Sequence, residues 1–144
     1  MNPMRQKLSD FTLIKALMEN ARVPISELAR RFGVSDTAIR KRLKKLERDG
    51  VIVRYTVEVD PKKLGFNVVA IIGIDTMPED LLPTISKLKE MDEVIKLYTA
   101  TGDHMILIEC WLRDSKELER FLKKLENMKG VKYVRPAIIL ERIK

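Results

Sequence analysis

The feature that most constrains the fold is a short helical segment, a tight turn and a longer helical segment between residues 26 and 50. Ser26 is predicted to cap the first of these helices and Gly33 to end it. A helix of about seven residues is not stable alone, so it must pack against neighbouring helices. Ser35 or Asp36 then begins a longer helix, which ends at Gly50. This spacing is typical of a helix-turn-helix.

The helices on either side of the turn need a third helix to complete a core. The segment before them, which Ser9 or Asp10 is predicted to cap, places apolar residues at three- and four-residue steps, as a half-buried helix requires. The apolar positions are Phe11, Ile14, Leu17 and Met18 in this segment, and Ile39, Leu43 and Leu46 in the long helix. We therefore expect residues 1–51 to form a helix-turn-helix domain that is winged-helix-like.

Positive charge is concentrated in the same region. Residues 1–60 carry thirteen Lys and Arg against eight Asp and Glu, whereas residues 40–48 alone carry six against one. The second helix of such a motif enters the major groove of DNA by its N-terminal residues, and nearby cations neutralise phosphates. The predicted DNA-binding residues are Arg30, Arg31, Ser35, Asp36, Thr37, Ala38, Arg40, Lys41, Lys44 and Lys45. The alternative is a basic helix that meets only solvent.

A linker is predicted over residues 52–65. Tyr55, Val57 and Val59 alternate with polar residues, as in a half-buried strand, and turn-forming residues follow at 60–65. We expect this segment to be a hinge strand that also pairs with a partner chain.

The remaining residues, 66–144, predict the order β-α-β-β-α-β. Strands are expected over 68–74, 94–101, 104–112 and 131–143, and helices over 79–91 and from Asp114 or Ser115. This is the ferredoxin-like arrangement, so the whole chain is classed as α+β. Pro136 suggests an edge strand or a bulge. Because the sheet face without helices is expected to be apolar, we predict a sheet-to-sheet homodimer; the alternative is a polar face and a monomer.

Several kinds of function are disfavoured by what the sequence lacks. The single cysteine, Cys110, cannot form an internal disulfide and is expected to be an inert core thiol, and with the single histidine, His104, it cannot build a metal site. Residues 1–7 are not followed by the apolar segment of a signal peptide. No apolar run approaches the roughly 18 residues of a membrane span. We expect a soluble, cytoplasmic protein that is not an enzyme and has no cofactor.

The sequence resembles the Lrp/AsnC, or feast/famine, family of transcriptional regulators over nearly its whole length. The segments that carry the resemblance are 25–35, 40–52, Asp60-Pro61 with Leu64-Gly65, and Thr101-Gly102-Asp103. The resemblance implies a dimer, and often an octamer, that binds a pseudo-palindromic site in double-stranded DNA. It also implies a small-molecule effector, usually an amino acid, bound near the turn between the second and third strands of the C-terminal domain.

On this sequence the resemblance indicates one set of effector-binding candidates. They are Thr101, Gly102, Asp103 and His104 in the turn, with Tyr133 and Arg135 in the last strand. Gly102 would let a ligand approach the backbone, and Asp103 could accept a hydrogen bond from an α-ammonium group. His104-Met105 replaces the aromatic or Tyr-Asp continuation that is more usual in the family, and the charge of His104 could tune binding near neutral pH. The alternative is a plain β-hairpin turn, which Gly-Asp also favours.

Two other functions compete with a regulator whose DNA affinity or assembly depends on an effector. Some Lrp-like chains are tetrapyrrole decarboxylases, which would want several histidines and arginines around a large pocket, whereas this chain has one histidine. A ferredoxin-like RNA-binding protein would stack bases on strand aromatics. The predicted strands of residues 66–144 carry only Tyr98, Trp111 and Tyr133, without the expected motif. We therefore favour the regulator.

Overall fold

The structure is a computed structural model that describes residues 6–144. The expectation about a signal peptide at residues 1–7 lies mostly outside these described residues. The chain divides into two compact units at the peptide between Glu58 and Val59. The finer division into residues 1–51, 52–65 and 66–144 stays a prediction. No helix within residues 6–144 is long and apolar enough to span a bilayer.

The first unit contains three helices, α1 (Asp10–Glu19), α2 (Ile25–Phe32) and α3 (Asp36–Arg48). Helix α1 begins with a capping box, in which the Ser9 hydroxyl accepts a hydrogen bond from the Thr12 N–H at 3.1 Å and the Thr12 hydroxyl accepts one from the Ser9 N–H at 2.9 Å. The prediction that Ser26 caps α2 was wrong, because α2 begins one residue earlier and Pro24 supplies the extended backbone of the cap.

The core of the first unit draws on all three helices and on the loop after α1. Its buried residues are Leu13, Ala16, Val23, Leu28, Ala29, Phe32, Ile39 and Leu46. The inward positions of α3 are as predicted, with Leu43 half-buried against this cluster. In α1, however, Phe11 and Met18 are exposed, because the inward face is centred on Leu13 and Ala16. Gly33 ends α2 with φ 68°, a left-handed conformation that turns the chain sharply into α3.

The predicted hinge strand is not formed within this chain. Residues 53–60 have no regular secondary structure, and Val53, Tyr55 and Val57 are exposed. A strand needs a neighbour to satisfy its backbone hydrogen bonds, and none of the four strands in the described part of the chain pairs with this segment. Pairing with a partner chain stays a prediction.

The second unit is a four-stranded antiparallel sheet with two helices, as predicted. The elements are β1 (Val68–Thr76), α4 (Leu81–Lys89), β2 (Val94–Thr99), β3 (Ile106–Leu112), α5 (Ser115–Glu126) and β4 (Val131–Ile138). The strand order is β2-β3-β1-β4, which is the ferredoxin-like order. Pro136 is tolerated because β4 is an edge strand. Strand β3 begins two residues later than predicted, and β4 ends at Ile138 rather than at residue 143.

One face of the sheet packs against α4 and α5. The fully buried side chains in this layer are Ala70, Ile72, Ile74, Leu88, Ile106, Ile108, Cys110, Leu112 and Leu125. The predicted helix over 79–91 is shorter in the structure, because α4 begins only at Leu81, after the 3-10 turn Pro78–Asp80, and Leu82 in its first turn is exposed. Burial, with the charges of Glu93 and Glu109, raises the pKa of the Cys110 thiol to about 12, so the thiol is protonated at neutral pH.

The opposite face of the sheet, which we call the open face, is less apolar than predicted. Successive residues of a strand point to opposite faces, so the residues that alternate with the buried positions along each strand form the open face. On β1, β3 and β4 they are Val69, Ile71, Gly73 and Asp75 of β1, Leu107, Glu109 and Trp111 of β3, and Tyr133, Arg135 and Ala137 of β4. Apolar and charged residues are thus mixed on this face. Homodimer formation through it stays a prediction.

Candidate nucleic-acid interface and ligand-binding turn

Helix α3 has a cationic face directed away from its core face. Ile39 and Leu46 are buried, and the residues on the other side of the helical period are exposed. The exposed face consists of Thr37, Arg40, Lys41, Lys44, Lys45 and Arg48. Arg48 was absent from the predicted set, although its spacing of four residues from Lys44 places it on this face. Five cations on one helical face can contact a run of phosphates.

The first turn of α3 is at the end that a helix-turn-helix presents to bases. The Ser35 hydroxyl accepts a hydrogen bond from the Ala38 N–H at 3.1 Å, so Ser35 acts as the N-cap. Asp36 follows as the acidic residue of the first turn, where it complements the positive end of the helix dipole. Thr37 is exposed and Ala38 half-buried, so both have accessible surface at this end.

The remaining basic residues of the motif differ in how they are held. Arg31 contacts Glu27 at 3.2 Å, whereas Arg30 is exposed one residue earlier. Arg42, which was not predicted to contact DNA, pairs with Asp10 of α1 at 2.7 Å. The Arg42 contact joins α3 to α1, so Arg42 stabilises the position of α3 within the unit.

A second contact joins α3 to the segment that follows it. The Tyr55 hydroxyl donates a hydrogen bond to Glu47 Oε1 at 2.6 Å. Partial burial of the phenol, the hydrogen bond and the Glu47 charge together raise the pKa of Tyr55 to about 12. The folded state therefore holds the phenolic proton more tightly than the unfolded chain does.

The Tyr55 contact predicts a pH dependence of stability. Because the folded pKa of about 12 exceeds the ordinary tyrosine value of 10.0, this contribution is complete below pH 10.0 and is lost as the pH rises towards about 12. A spectrophotometric titration of phenolate should show a late component that Tyr55→Phe removes and Glu47→Ala shifts to lower pH. Glu19→Ala, an exposed acidic residue of α1, is the matched control. A Glu47→Ala curve identical to the wild-type curve would contradict the contact.

The predicted ligand-binding turn lies between β2 and β3. The Ala100 N–H donates to the Met105 carbonyl at 2.9 Å and closes the hairpin. Thr101, Gly102 and Asp103 are exposed at its tip, and Gly102 has φ 98°. The positive φ accounts for the glycine, and open space lies beside its Cα.

His104 connects this turn to the neighbouring strand β1. Its Nδ1 lies 2.8 Å from Asp75 Oδ2, and the Met105 N–H donates to Asp75 Oδ1 at 3.0 Å. Burial alone would raise the pKa of Asp75, but the hydrogen bonds from His104 and Met105 and the charges of His104 and Arg135 outweigh it and lower that pKa. Asp75 is therefore ionised at neutral pH. The His104 ring lies against Gly73 of β1, where a Cβ would overlap it.

Strand β4 brings the last two predicted ligand residues to the same end of the open face. Tyr133 pairs with Asp75 and Arg135 pairs with Gly73 in the β1–β4 ladder. The Arg135 guanidinium lies 5.4 Å from the centre of the Tyr133 ring. The fold thus assembles His104, Tyr133 and Arg135 around Asp75, while Thr101 to Asp103 extend beyond the sheet.

Sequence reasoning missed Asp75 and Gly73, although one signal was available. A carboxylate directly after an apolar, strand-like run is unusual unless it has a partner. The partner is far along the chain, so only the sheet register could identify it. Among residues 6–144 there is no group of His, Cys, Asp and Glu side chains that could hold a metal ion.

Both units match known protein families. Residues 7–53 match a family described as winged helix-turn-helix DNA-binding, and residues 69–144 match the Lrp/AsnC ligand binding domain. The chain is 45% identical over 136 residues to the HTH-type transcriptional regulator LrpA of Pyrococcus horikoshii, which covers 94% of this chain and 96% of that protein.

Solved structures agree with this similarity. The structure of E. coli AsnC has a TM-score of 0.81 and 33% identity, and the match covers 94% of this chain and 92% of that one. A feast or famine regulatory protein from M. tuberculosis, in complex with L-methionine, has a TM-score of 0.82 and 27% identity over 94% of this chain and 92% of that one. The likeness extends across both units.

Proposed function

The chain belongs to the Lrp/AsnC family of helix-turn-helix transcriptional regulators with a ligand-binding domain, and on this premise we propose that α3 reads double-stranded DNA under the control of an amino acid. The observation that carries the proposal is the cationic face of α3, the helix that follows the tight turn at Gly33. The DNA phosphates are contacted by Lys41, Lys44, Lys45 and Arg48. Arg30 and Arg31 add to the positive electrostatic potential of the same surface. Thr37, Ala38 and Arg40, near the start of α3, face the base edges.

The effector half of the proposal concerns the end of the open face. An α-amino acid carries an ammonium and a carboxylate, which need an anionic and a cationic partner respectively. Asp103, at the tip of the turn, supplies the anionic partner for the ammonium group. Arg135, on β4, supplies the cationic partner for the carboxylate. The M. tuberculosis structure named above contains L-methionine, and we extend an amino-acid effector of this kind to the present chain.

Assembly and location complete the proposal. We propose a homodimer that uses the open face, with octamers as the higher assembly, acting on DNA in the cytoplasm. The relatives are named transcriptional regulators, which supports a role other than catalysis. The tetrapyrrole decarboxylase alternative gains no support, because the single histidine is held by Asp75 and the matches are to regulators.

DNA binding and its response to an effector can be tested together. DNA fragments selected from a random-sequence pool by the purified protein should converge on a pseudo-palindromic site. Affinity for that site should fall steeply with salt, by about 0.9 in the log–log slope for each phosphate contact. L-methionine, or another standard amino acid from a panel, should change the affinity or the assembly state. Failure to select any sequence, or binding that does not depend on salt, would contradict the DNA-binding half.

A further inference from the structure

Asp75 is engaged by the ligand-binding turn through both of its carboxylate oxygens. One oxygen accepts from the Met105 backbone N–H at 3.0 Å, and the other lies 2.8 Å from the His104 ring. Thirty residues separate Asp75 from Met105 in sequence, so these contacts fix the end of the turn to a different strand. The Asp75 side chain is only 17% exposed, which strengthens its hydrogen bonds relative to those of a surface carboxylate.

These contacts determine which nitrogen of His104 carries the proton. An ionised carboxylate only accepts hydrogen bonds, so Nδ1 must donate to Asp75. In the neutral ring Nε2 is therefore an acceptor. The orientation of the ring and its pattern of donors and acceptors thus follow from Asp75.

Gly73 provides the space in which this ring lies. A Cβ on Gly73 would overlap the imidazole ring, so the ring rests directly on the β1 backbone. Gly73 is not among the glycines with positive φ, so the absence of a side chain matters here for space rather than for backbone conformation. Arg135 is the residue of β4 that pairs with Gly73, so it lies beside Gly73 on the β4 side of β1.

We propose that Asp75 is a positioning residue for amino-acid binding, which holds the His104 ring over Gly73 and thereby fixes the geometry of the ligand-binding turn. Asp75 acts through His104 and Met105 and need not contact the ligand. The inference rests on the proposed function, because it assumes that residues 101–104 and Arg135 bind the effector. It adds a residue of β1 to a site otherwise formed by the turn and β4.

The variant Asp75→Asn separates this role from a general structural one. The amide has nearly the same shape, and its oxygen must face the Met105 N–H, because the amide nitrogen is also a donor. The amide nitrogen then faces Nδ1 of His104 and donates to it. The neutral ring should therefore change to the tautomer with the proton on Nε2, while the backbone hydrogen bond of Met105 is kept.

The experiment combines NMR of the ring with ligand titration of the full-length protein. His104 is the only histidine in the chain, so its ring nitrogens give an unambiguous signal. At a pH where titration shows the ring to be neutral, Asp75→Asn should exchange the shifts of the protonated and unprotonated nitrogens. Affinity for L-methionine, or for the tightest binder among the standard amino acids, should fall by about tenfold or more. Thermal stability should stay near that of the wild type.

Two further variants sharpen the result. Gly73→Ala leaves Asp75 and His104 intact but displaces the ring, so it should weaken the same ligand to a similar extent. Asp92→Asn makes the same chemical change at an exposed site in the same unit and should change neither the ring signal nor the affinity.

The outcomes distinguish this inference from the proposed function. If the wild type binds an amino acid but Asp75→Asn and Gly73→Ala bind it equally well, Asp75 is not a positioning residue. An unchanged tautomer in Asp75→Asn would overturn the inference as well. If the wild-type protein binds no amino acid, the effector half of the proposed function is wrong, and the binding role of Asp75 falls with it.

Discussion

Charge reversal at Lys41 and Lys44 should lower the affinity for the selected DNA site by roughly a thousandfold or more, which is about the margin between specific and non-specific binding. Both side chains lie on the exposed face of α3, opposite the buried Ile39 and Leu46. In the double variant Lys41→Glu/Lys44→Glu, two attractive phosphate contacts become repulsive ones. The log–log salt slope should also become shallower by about 0.9 for each lost contact. Fluorescence anisotropy at several salt concentrations measures both quantities.

The matched control changes the net charge by the same amount in the other unit. Lys87→Glu/Lys89→Glu reverses two basic residues in the last turn of α4, both exposed. This protein should bind the site with an affinity close to that of the wild type. Equal losses in the two double variants would mean that only overall charge matters. Wild-type affinity in Lys41→Glu/Lys44→Glu would show that α3 is not the DNA-reading helix.

Truncation of Leu28 should unfold the first unit and eliminate DNA binding while leaving the second unit folded. Leu28 is fully buried at the centre of the three-helix core. Its replacement by alanine should cost about 2–5 kcal/mol. A unit of this size has a small core and a correspondingly small free energy of unfolding, so a loss of that magnitude is decisive. Amino-acid binding by the second unit should persist, because its core contains no residue of the first unit.

Calorimetry and circular dichroism can separate the two units in the Leu28→Ala protein. The helical signal of α1 to α3 should be reduced at 25 °C, where the wild type is folded. Met18→Ala in the same unit is the control, because the Met18 side chain is 77% exposed and its removal should change stability by less than about 0.5 kcal/mol. A Leu28→Ala protein that binds DNA normally would show that the core of the first unit is more robust than its size indicates.

The local signals of the sequence were most informative in the first unit. The end of α2 at Gly33 and the buried positions Ile39 and Leu46 were predicted and confirmed, and of the two candidates for the start of α3, Ser35 and Asp36, Ser35 is the cap. These features depend on residues within a few positions of one another, so the sequence alone can reveal them. The errors there were also local: Pro24 rather than Ser26 caps α2, and Phe11 and Met18 point outward.

Features that depend on pairing between distant segments were predicted less well. The element order was correct, since the order β-α-β-β-α-β admits few sheet arrangements, and of the two alternatives that Pro136 suggested, an edge strand or a bulge, β4 is an edge strand. The mixed polarity of the open face was not foreseen, because alternation within a strand does not reveal which charged residues meet across strands. Asp75 is an example, since its partners His104 and Met105 lie in the turn just before a different strand, β3.

The amino-acid sequence by itself determined the helix-turn-helix, the basic helix α3, the α+β order and the family. The first three depend on short-range periodicity, caps and turn residues, whose energetics act within one or two helical turns, whereas the family was indicated by the resemblance of whole segments. Only the tertiary structure decided that Asp75, Gly73, His104 and Arg135 lie together. The antiparallel register of β1 with β3 and β4 sets that arrangement, because hydrogen bonding between strands brings together residues that are far apart in the chain.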